Sequence, residues 1–230
     1  TLLFDKPVII KNLPRVRDIN TMLNLLKSLG SKIEFFDNRK KVRISKSKKP
    51  KYFASYSLLK TMRAGILVLG PLVSKYQKSI TSFPGGCVLN GNSGRPINLH
   101  LNALQKLGMK YEIKRGYIYA KSKGKLKGKT LKFPSISVGA SQHLLMSSVL
   151  SDGKTTLHNV ATEPEVVGLI NFLNSNRWVF QNYFIRPLIN FFNSIICRRV
   201  SAHKFWWSFT FIKFFHSFPN FYSFSYIITR

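Results

Sequence analysis

The chain has 230 residues, 44% of them apolar, with 37 Lys and Arg against 8 Asp and Glu and a formal net charge of +29. That length can enclose a real core in one large domain or two small ones, and two cysteines make no framework, so a disulfide-stapled mini-protein is excluded. The apolar content excludes disorder by composition, and the charge excess resembles that of a binder of nucleic acid or of an anionic surface.

The opening segment, TLLFDKPVII, has no basic run ahead of an apolar stretch, which predicts no signal peptide. Residues 25–45, LLKSLGSKIEFFDNRKKVRIS, run from an apolar helical stripe through Leu29-Gly30 into a strand, a polar turn at Asp37-Asn38 and a second strand. Residues 58–73, LLKTMRAGILVLGPLV, read as one apolar helix with Lys60 and Arg63 at its start. Cations there oppose the helix dipole unless an anion neutralises them, which makes this a candidate anion site; the alternative is two solvated side chains. Residues 81–100, TSFPGGCVLNGNSGRPINLH, form a glycine-rich loop with Cys87 at its tip and Arg95 eight residues on. Such a loop can fold over a ligand, and a lone cysteine in a polar loop is poorly explained as core, although an incidental thiol remains the alternative.

Residues 104–122, LQKLGMKYEIKRGYIYAKS, repeat the order of 25–45, with Leu107-Gly108 at the helix end and Arg115-Gly116 in the turn. Each glycine suits the left-handed position after a helix. Two copies indicate duplicated helix-hairpin units in an α/β domain. A third copy starts at 163–177, EPEVVGLINFLNSNR, with Val166, Val167, Ile170 and Leu173 at helical spacing and Glu163 and Glu165 where carboxylates suit the helix dipole. Where the earlier copies place Leu-Gly, this one has Asn176-Arg177.

Composition changes at the same point. Residues 177–230 hold 18 aromatics, including all three Trp, and no Gly, Asp or Glu. Turns draw heavily on Gly and Asp, so the tail is a poor candidate for a folded domain. Its apolar stretches are broken by Arg186-Pro187 and by Lys213, His216 and Pro219, short of the ~18 nearly uninterrupted apolar residues of a spanning helix. The expected division is an α/β domain over 1–176 and an aromatic basic tail over 177–230, translated out of frame and poorly folded. A membrane-surface tail is the alternative. His100, His143 and His158 are well separated in sequence, without Cys or carboxylate at ligand spacing, so no metal site is read. His203, His216 and Cys197 fall in the tail.

KTMRAG at 60–65, GPLV at 70–73, PGGC at 84–87, RPINLH at 95–100, SVGA at 137–140 and EPEVV at 163–167 fall in one order and spacing. By these motifs residues 3–176 resemble the UDP-N-acetylglucosamine 1-carboxyvinyltransferase family, the enolpyruvyl transferases. The resemblance implies two inside-out α/β barrels built of βαβαββ-type units with helices inside, of which this chain holds part of one. It implies a cytoplasmic enzyme of the first committed step of peptidoglycan synthesis, with phosphoenolpyruvate and UDP-N-acetylglucosamine as substrates and no cofactor. Cys87 would be the general acid at C3 of phosphoenolpyruvate. Arg63 and Arg95 would hold its carboxylate and phosphate and also meet the UDP-sugar. Arg95, Pro96, Ile97, Asn98 and Leu99, with Ser137, Val138 and Gly139, would hold the uridine nucleotide.

Three positions depart from the family pattern: Asn98 stands where Asp is common, Ser135 where Lys is, and Cys87 to Arg95 is three residues longer. The family's early Lys-Asn pair and the residues of its C-terminal half, which complete the cleft, have no counterpart in this chain, so the chain alone is expected to have no turnover. Two other readings are open. A 5-enolpyruvylshikimate-3-phosphate synthase-like fragment shares the fold, but that enzyme lacks the loop cysteine. A nucleic-acid binder is suggested by the basic runs 38–53 and 114–132, which fall mostly on predicted outer hairpins where a solvated face explains them.

Overall fold

A computed structural model describes residues 1–46, 48–85 and 97–175 in full, and beyond these the backbone of short strands at 87–88, 95–96, 179–184, 193–198 and 226–227. The first unit holds β1 (Val8–Ile10), α1 (Arg17–Ser28), β2 (Lys32–Phe36) and β3 (Lys41–Ser45). The second holds β4 (Phe53–Ala54), α2 (Tyr56–Leu59), a 3-10 turn (Arg63–Val68), α3 (Leu69–Tyr76) and β5 (Lys78–Ser82). It continues through β6 (Cys87–Val88), β7 (Arg95–Pro96), α4 (Asn98–Lys106), β8 (Met109–Lys114) and β9 (Tyr117–Ser122). The third holds β10 (Thr130–Lys132), α5 (Val138–Ser148), β11 (Thr155–His158), α6 (Pro164–Asn174) and the backbone strands β12 (Val179–Phe184) and β13 (Asn193–Arg198). A last backbone strand, β14 (Tyr226–Ile227), lies beside β1. The other residues of 177–230, and with them most of the expected tail, lie outside the described residues.

The repeat read from the sequence is a repeat of sheet order. The second sheet runs β4-β5-β9-β8 and the third β10-β11-β13-β12. In both the leading pair is parallel, as a helical crossover requires, and the other pairs are antiparallel. The first sheet has the matching order β14-β1-β3-β2, with β14 antiparallel to β1. Both predicted hairpins form, with Gly30 at φ 97° and Gly108 at φ 105° just past their helices. The turns are left-handed at Asp37, Asn38 and Arg39 in the first unit and at Arg115 and Gly116 in the second.

The helices pack on one another, with α5 touching α3, α4 and α6. Burial all round explains why α5 has no polar stripe: Ala140, Ser141, His143, Leu144, Leu145, Ser147 and Ser148 are all enclosed. Its small polar residues find partners. Ser141 Oγ accepts from the Ala161 N–H at 3.0 Å, and Ser74 Oγ donates to the Ser147 carbonyl at 2.7 Å. Gly70 makes the close approach of α3 possible, since a Cβ there would overlap Ser147 Oγ and the His143 ring. On the second and third units one apolar cluster runs from Ile66 and Leu69 through Leu101, Leu104 and Ile118 to Leu144, Leu157 and Ile170. The first unit packs into two smaller clusters, Leu23 and Leu26 on Val42 and Ile44, and Leu25 and Leu29 on Leu59 and Leu72. Lys75 ties the opening segment to α3: its Nζ donates to the Leu3 and Phe4 carbonyls at 3.0 Å each and pairs with Asp5 at 3.2 Å.

The single helix expected over 58–73 is instead α2, the 3-10 turn and α3. Met62 is extended, at φ −140° and ψ 113°, and both Met62 and Leu59 are buried. Gly65 folds back on Leu59, where a Cβ would stand 2.8 Å from Leu59 Cγ. Burying Leu59 and Met62 together outweighs a continuous helix. Pro71 lies in the first turn of α3, where its missing N–H costs little. The third helix starts as expected, with Glu163 as its N-cap residue and Glu165 in its first turn, and it buries Val166, Ile170 and Leu173.

Candidate active site

The glycine loop is anchored on the segment that carries the two candidate cations. The Gly85 N–H donates to the Leu59 carbonyl at 3.1 Å, and a Cβ on Gly85 would run into the Lys60 carbonyl. On the other side, the Phe83 N–H donates to the Gly116 carbonyl at 3.2 Å, and Pro84 is buried. Glycine at 85 is therefore a steric requirement against backbone, which no side-chain rotation relieves. Lys60 and Arg63 are both exposed, and among the described residues neither is ion-paired. Arg63 opens the 3-10 turn, which packs against α5.

From Gly85 the chain leaves through β6 and returns through β7. These pair in parallel, with the Cys87 backbone opposite that of Arg95 and Val88 opposite Pro96. Two residues eight apart in sequence thus become neighbours across about 5 Å of backbone. Ile97 follows with its side chain buried in the core, which leaves only its backbone for a ligand. Asn98 and Leu99, both half-buried, form the first turn of α4.

The second predicted nucleotide segment meets the first at this turn. Ser137 is the N-cap of α5, its hydroxyl accepting from the Ala140 N–H at 3.3 Å. Gly139 lies against His100: a Cβ there would stand 3.3 Å from His100 Cε1. The starts of α4 and α5 therefore abut, and residues 97–99 and 137–139 form one surface. Beside it is a cavity of about 500 Å³ lined by Leu99, Ala103 and Lys106 of α4 and by Leu131, Lys132, Phe133 and Pro134. An apolar slot with Lys106 and Lys132 in its lining is suited to a ring that carries an anionic group.

His100 and His143, well separated in sequence, are in contact: their Nδ1 atoms are 3.0 Å apart. His143 Nε2 accepts from the Gly70 N–H at 2.8 Å. Burial pushes the His100 pKa down to about 4, and burial, with the neighbouring His100 adding to it, holds that of His143 well below the ordinary histidine value. Both are neutral at pH 7. Among the described residues no group of three or more His, Cys, Asp or Glu side chains is placed to hold a metal.

The charge of the region follows from its sequence. Residues 38–111 contain 15 Lys and Arg and no Asp or Glu; Lys41, Lys46 and Lys75 pair with Asp37 and Asp5 from outside this stretch, whereas Lys60 and Arg63 beside the loop are exposed cations that attract anions. Of the predicted site residues, the structure brings together the Lys60 to Arg63 segment and Gly85, Cys87 and Arg95 by backbone, and 97–99 and 137–139 by helix packing. The side chains of Cys87, Arg95 and Pro96 lie outside the described residues. Sequence reasoning missed the seating of Gly85 on the Lys60 carbonyl, the histidine contact and the Phe133–Pro134 wall. An adjacent signal existed for the last, since Phe133 and Pro134 directly precede the predicted segment.

The fold is one that solved enolpyruvyl transferases share. Residues 1–177 match the family model for EPSP synthase (3-phosphoshikimate 1-carboxyvinyltransferase), and the chain belongs to this enolpyruvyl transferase family. It is 54% identical over 173 residues to the UDP-N-acetylglucosamine 1-carboxyvinyltransferase of Pelagibacter ubique, a match covering 75% of this chain and 40% of that protein. Proteins of the same name from Shewanella woodyi and Coxiella burnetii are 44% and 42% identical, over 75% and 76% of this chain and 40% and 39% of theirs. The chain thus spans about 40% of the length of the curated relatives it matches. In fold it is similar to the enolpyruvyl transferase NikO from Streptomyces tendae, with a TM-score of 0.69 at 15% identity over 85% of this chain and 43% of that one. It is also similar to an EPSP synthase from Acinetobacter baumannii, with a TM-score of 0.62 at 14% identity over 85% and 42%.

Proposed function

We propose that this chain carries one wall of the active site of an enzyme that transfers the enolpyruvyl group of phosphoenolpyruvate to the 3′-hydroxyl of UDP-N-acetylglucosamine, the first committed step of peptidoglycan synthesis in the cytoplasm. The observation that carries the reading is the seating of the Gly85 loop on the Lys60 to Arg63 segment, next to the abutting starts of α4 and α5. In this reading the three units are part of one inside-out barrel of βαβαββ repeats.

Phosphoenolpyruvate brings a carboxylate and a phosphate, and guanidinium groups match both as planar, two-pronged donors. Arg63 and Arg95 hold them. The sugar hydroxyl oxygen bonds to C2 and gives up its proton to water, while the Cys87 thiol gives its proton to C3, producing a tetrahedral intermediate and a Cys87 thiolate. Return of a proton from C3 to the Cys87 thiolate and cleavage of the C2–O bond to the phosphate then release phosphate and restore the double bond. A thiol serves because its reference pKa of about 8.5 is near enough to neutral for proton exchange. The uridine nucleotide lies on Arg95, Pro96, the Ile97 backbone, Asn98 and Leu99, with Ser137, Val138 and Gly139. At position 98 an amide receives the base through one oxygen acceptor in place of a carboxylate.

One wall of a two-walled cleft binds without turning over. Titration calorimetry of the full chain is expected to show saturable binding of UDP-N-acetylglucosamine, weakened about tenfold or more in Arg63→Ala, with no phosphate released from phosphoenolpyruvate. Binding of shikimate 3-phosphate in its place would favour the sister activity named by the matching family model. Steeply salt-dependent binding of nucleic acid would favour the basic runs 38–53 and 114–132, whose turn residues 38–40 and 114–116 are exposed. For residues 177–230 we propose out-of-frame coding. Reading the coding DNA in the other two frames tests it: absence of a glycine-bearing continuation of the third repeat sinks the idea.

A further inference from the structure

We propose that His143 is a positioning residue: it fixes the tautomer of His100, so that His100 presents an Nε2–H at the first turn of α5 as a donor to an oxygen of the bound nucleotide. The ligand part rests on the functional reading above, whereas the tautomer part stands on geometry alone.

The argument is proton accounting. A backbone N–H can only donate, so the Gly70 N–H at 2.8 Å leaves His143 Nε2 as an acceptor without a proton. A neutral imidazole carries one proton, which must then be on His143 Nδ1. That atom lies 3.0 Å from His100 Nδ1, so His100 Nδ1 accepts and is bare in turn. The single proton of His100 is therefore on Nε2. A cationic His100 would aim one N–H at another and is excluded by the same contact. The chain of donors starts at α3, passes through the buried ring on α5 and ends on α4.

The far end of that chain faces a place where donors collect. The Cε1 and Nε2 atoms of His100 would lie 3.3 and 3.6 Å from a Cβ on Gly139, so this edge of the ring covers the start of α5. His100 is 8% exposed, and among the described residues its Nε2 has no hydrogen-bond partner. Helix geometry leaves the Val138 and Gly139 N–H groups without carbonyl partners inside α5, and the Ser137 hydroxyl takes the Ala140 N–H. A nearly buried N–H and two backbone N–H groups around one point form a donor set for an acceptor oxygen, either a carbonyl of the base or an oxygen of the diphosphate.

The test uses the full 230-residue chain labelled with 15N-histidine, and long-range 1H–15N spectra that read each ring nitrogen separately. The expected wild-type result is a bare Nδ1 and a protonated Nε2 on His100; a proton on Nδ1 overturns the proposal whatever any variant does. His143→Gln keeps an acceptor for Gly70 but removes the donor to His100, and is expected to mix the His100 tautomers and weaken UDP-N-acetylglucosamine binding about tenfold. His143→Asn keeps a donor at the Nδ1 position and is expected to restore the wild-type His100 pattern. An unchanged His100 in the Gln variant, with the fold intact by circular dichroism, overturns the positioning role. Uridine and inorganic pyrophosphate, added separately, distinguish the two oxygen sources by which one shifts His100 Nε2. If the tautomer is as stated but UDP-N-acetylglucosamine, uridine and pyrophosphate all leave Nε2 unmoved, the donor role is refuted while the geometric assignment stands.

Discussion

The first and second units share a helix, a glycine and a hairpin, yet of these two the second alone contributes to the candidate site, where it meets the start of the third. In the first, α1 divides its apolar residues between two small clusters: Leu23 and Leu26 cover their own hairpin, while Leu25 and Leu29 reach toward α2 and α3. In the second, α4 lies against α5 inside one cluster shared with the third unit. Depth is the difference. A helix that only covers its own sheet leaves its polar groups in water, whereas a helix packed between others can hold a histidine, a serine hydroxyl or a helix N-terminus in one orientation. Polar groups that are enclosed and fully partnered are rigid, which a binding surface needs.

Four experiments sharpen or break that contrast. The largest effect is expected from Leu144→Ala in α5, a fully buried side chain at the centre of the shared cluster, which should cost about 4 kcal/mol in urea unfolding. A loss under about 1 kcal/mol would mean that the shared cluster is not the stable part of the molecule.

Next comes pH. The folded pKa of His100 is about 4, below its unfolded value of 6.5, so between these values the unfolded chain binds more protons. The stability present above pH 6.5 is lost as pH falls toward 4, by about 3 kcal/mol for this one group, with His143 acting in the same direction. Urea midpoints at pH 7 and pH 4.5 measure it, and a midpoint that rises on acidification would contradict the buried neutral pair.

A smaller loss, about 2 kcal/mol, is expected for Leu23→Ala, which is 7% exposed in the small cluster of the first unit. If it matched or exceeded Leu144→Ala, the contrast between the units would fail. The smallest effect belongs to Lys41→Ala. Its 3.0 Å pair with Asp37 is on the exposed hairpin turn, and thermal melts should show no resolvable shift.

Much of the local structure was legible because it depends on near neighbours. Gly30 and Gly108 suit the position that ends a helix and both have positive φ; Glu163 and Glu165 suit a helix start and stand at one. The reading failed where a distant surface set the backbone. Residues 58–73 carry a helical apolar pattern, but the need to bury Leu59 and Met62 with Gly65 folded on them breaks it into three pieces. The site shows the same division. The motifs around Arg63, Cys87, Arg95 and Ser137 stood out in sequence, whereas the His100 to His143 contact joins residues 43 apart on different helices and left no local trace.

By itself, then, the sequence determined the repeat, the helix ends and hairpin turns, the acid-free basic stretch around the loop and the family to which the chain belongs. These follow from spacing, from which residues tolerate left-handed backbone and from charge, none of which needs a partner across space. Only the tertiary structure decided that Gly85 must seat on the Lys60 carbonyl, that the starts of α4 and α5 form one surface, and that two histidines meet across helices. Those facts come from close packing between elements far apart in the chain, where a contact is set by the shape of both surfaces and by the need of each buried polar group for a partner.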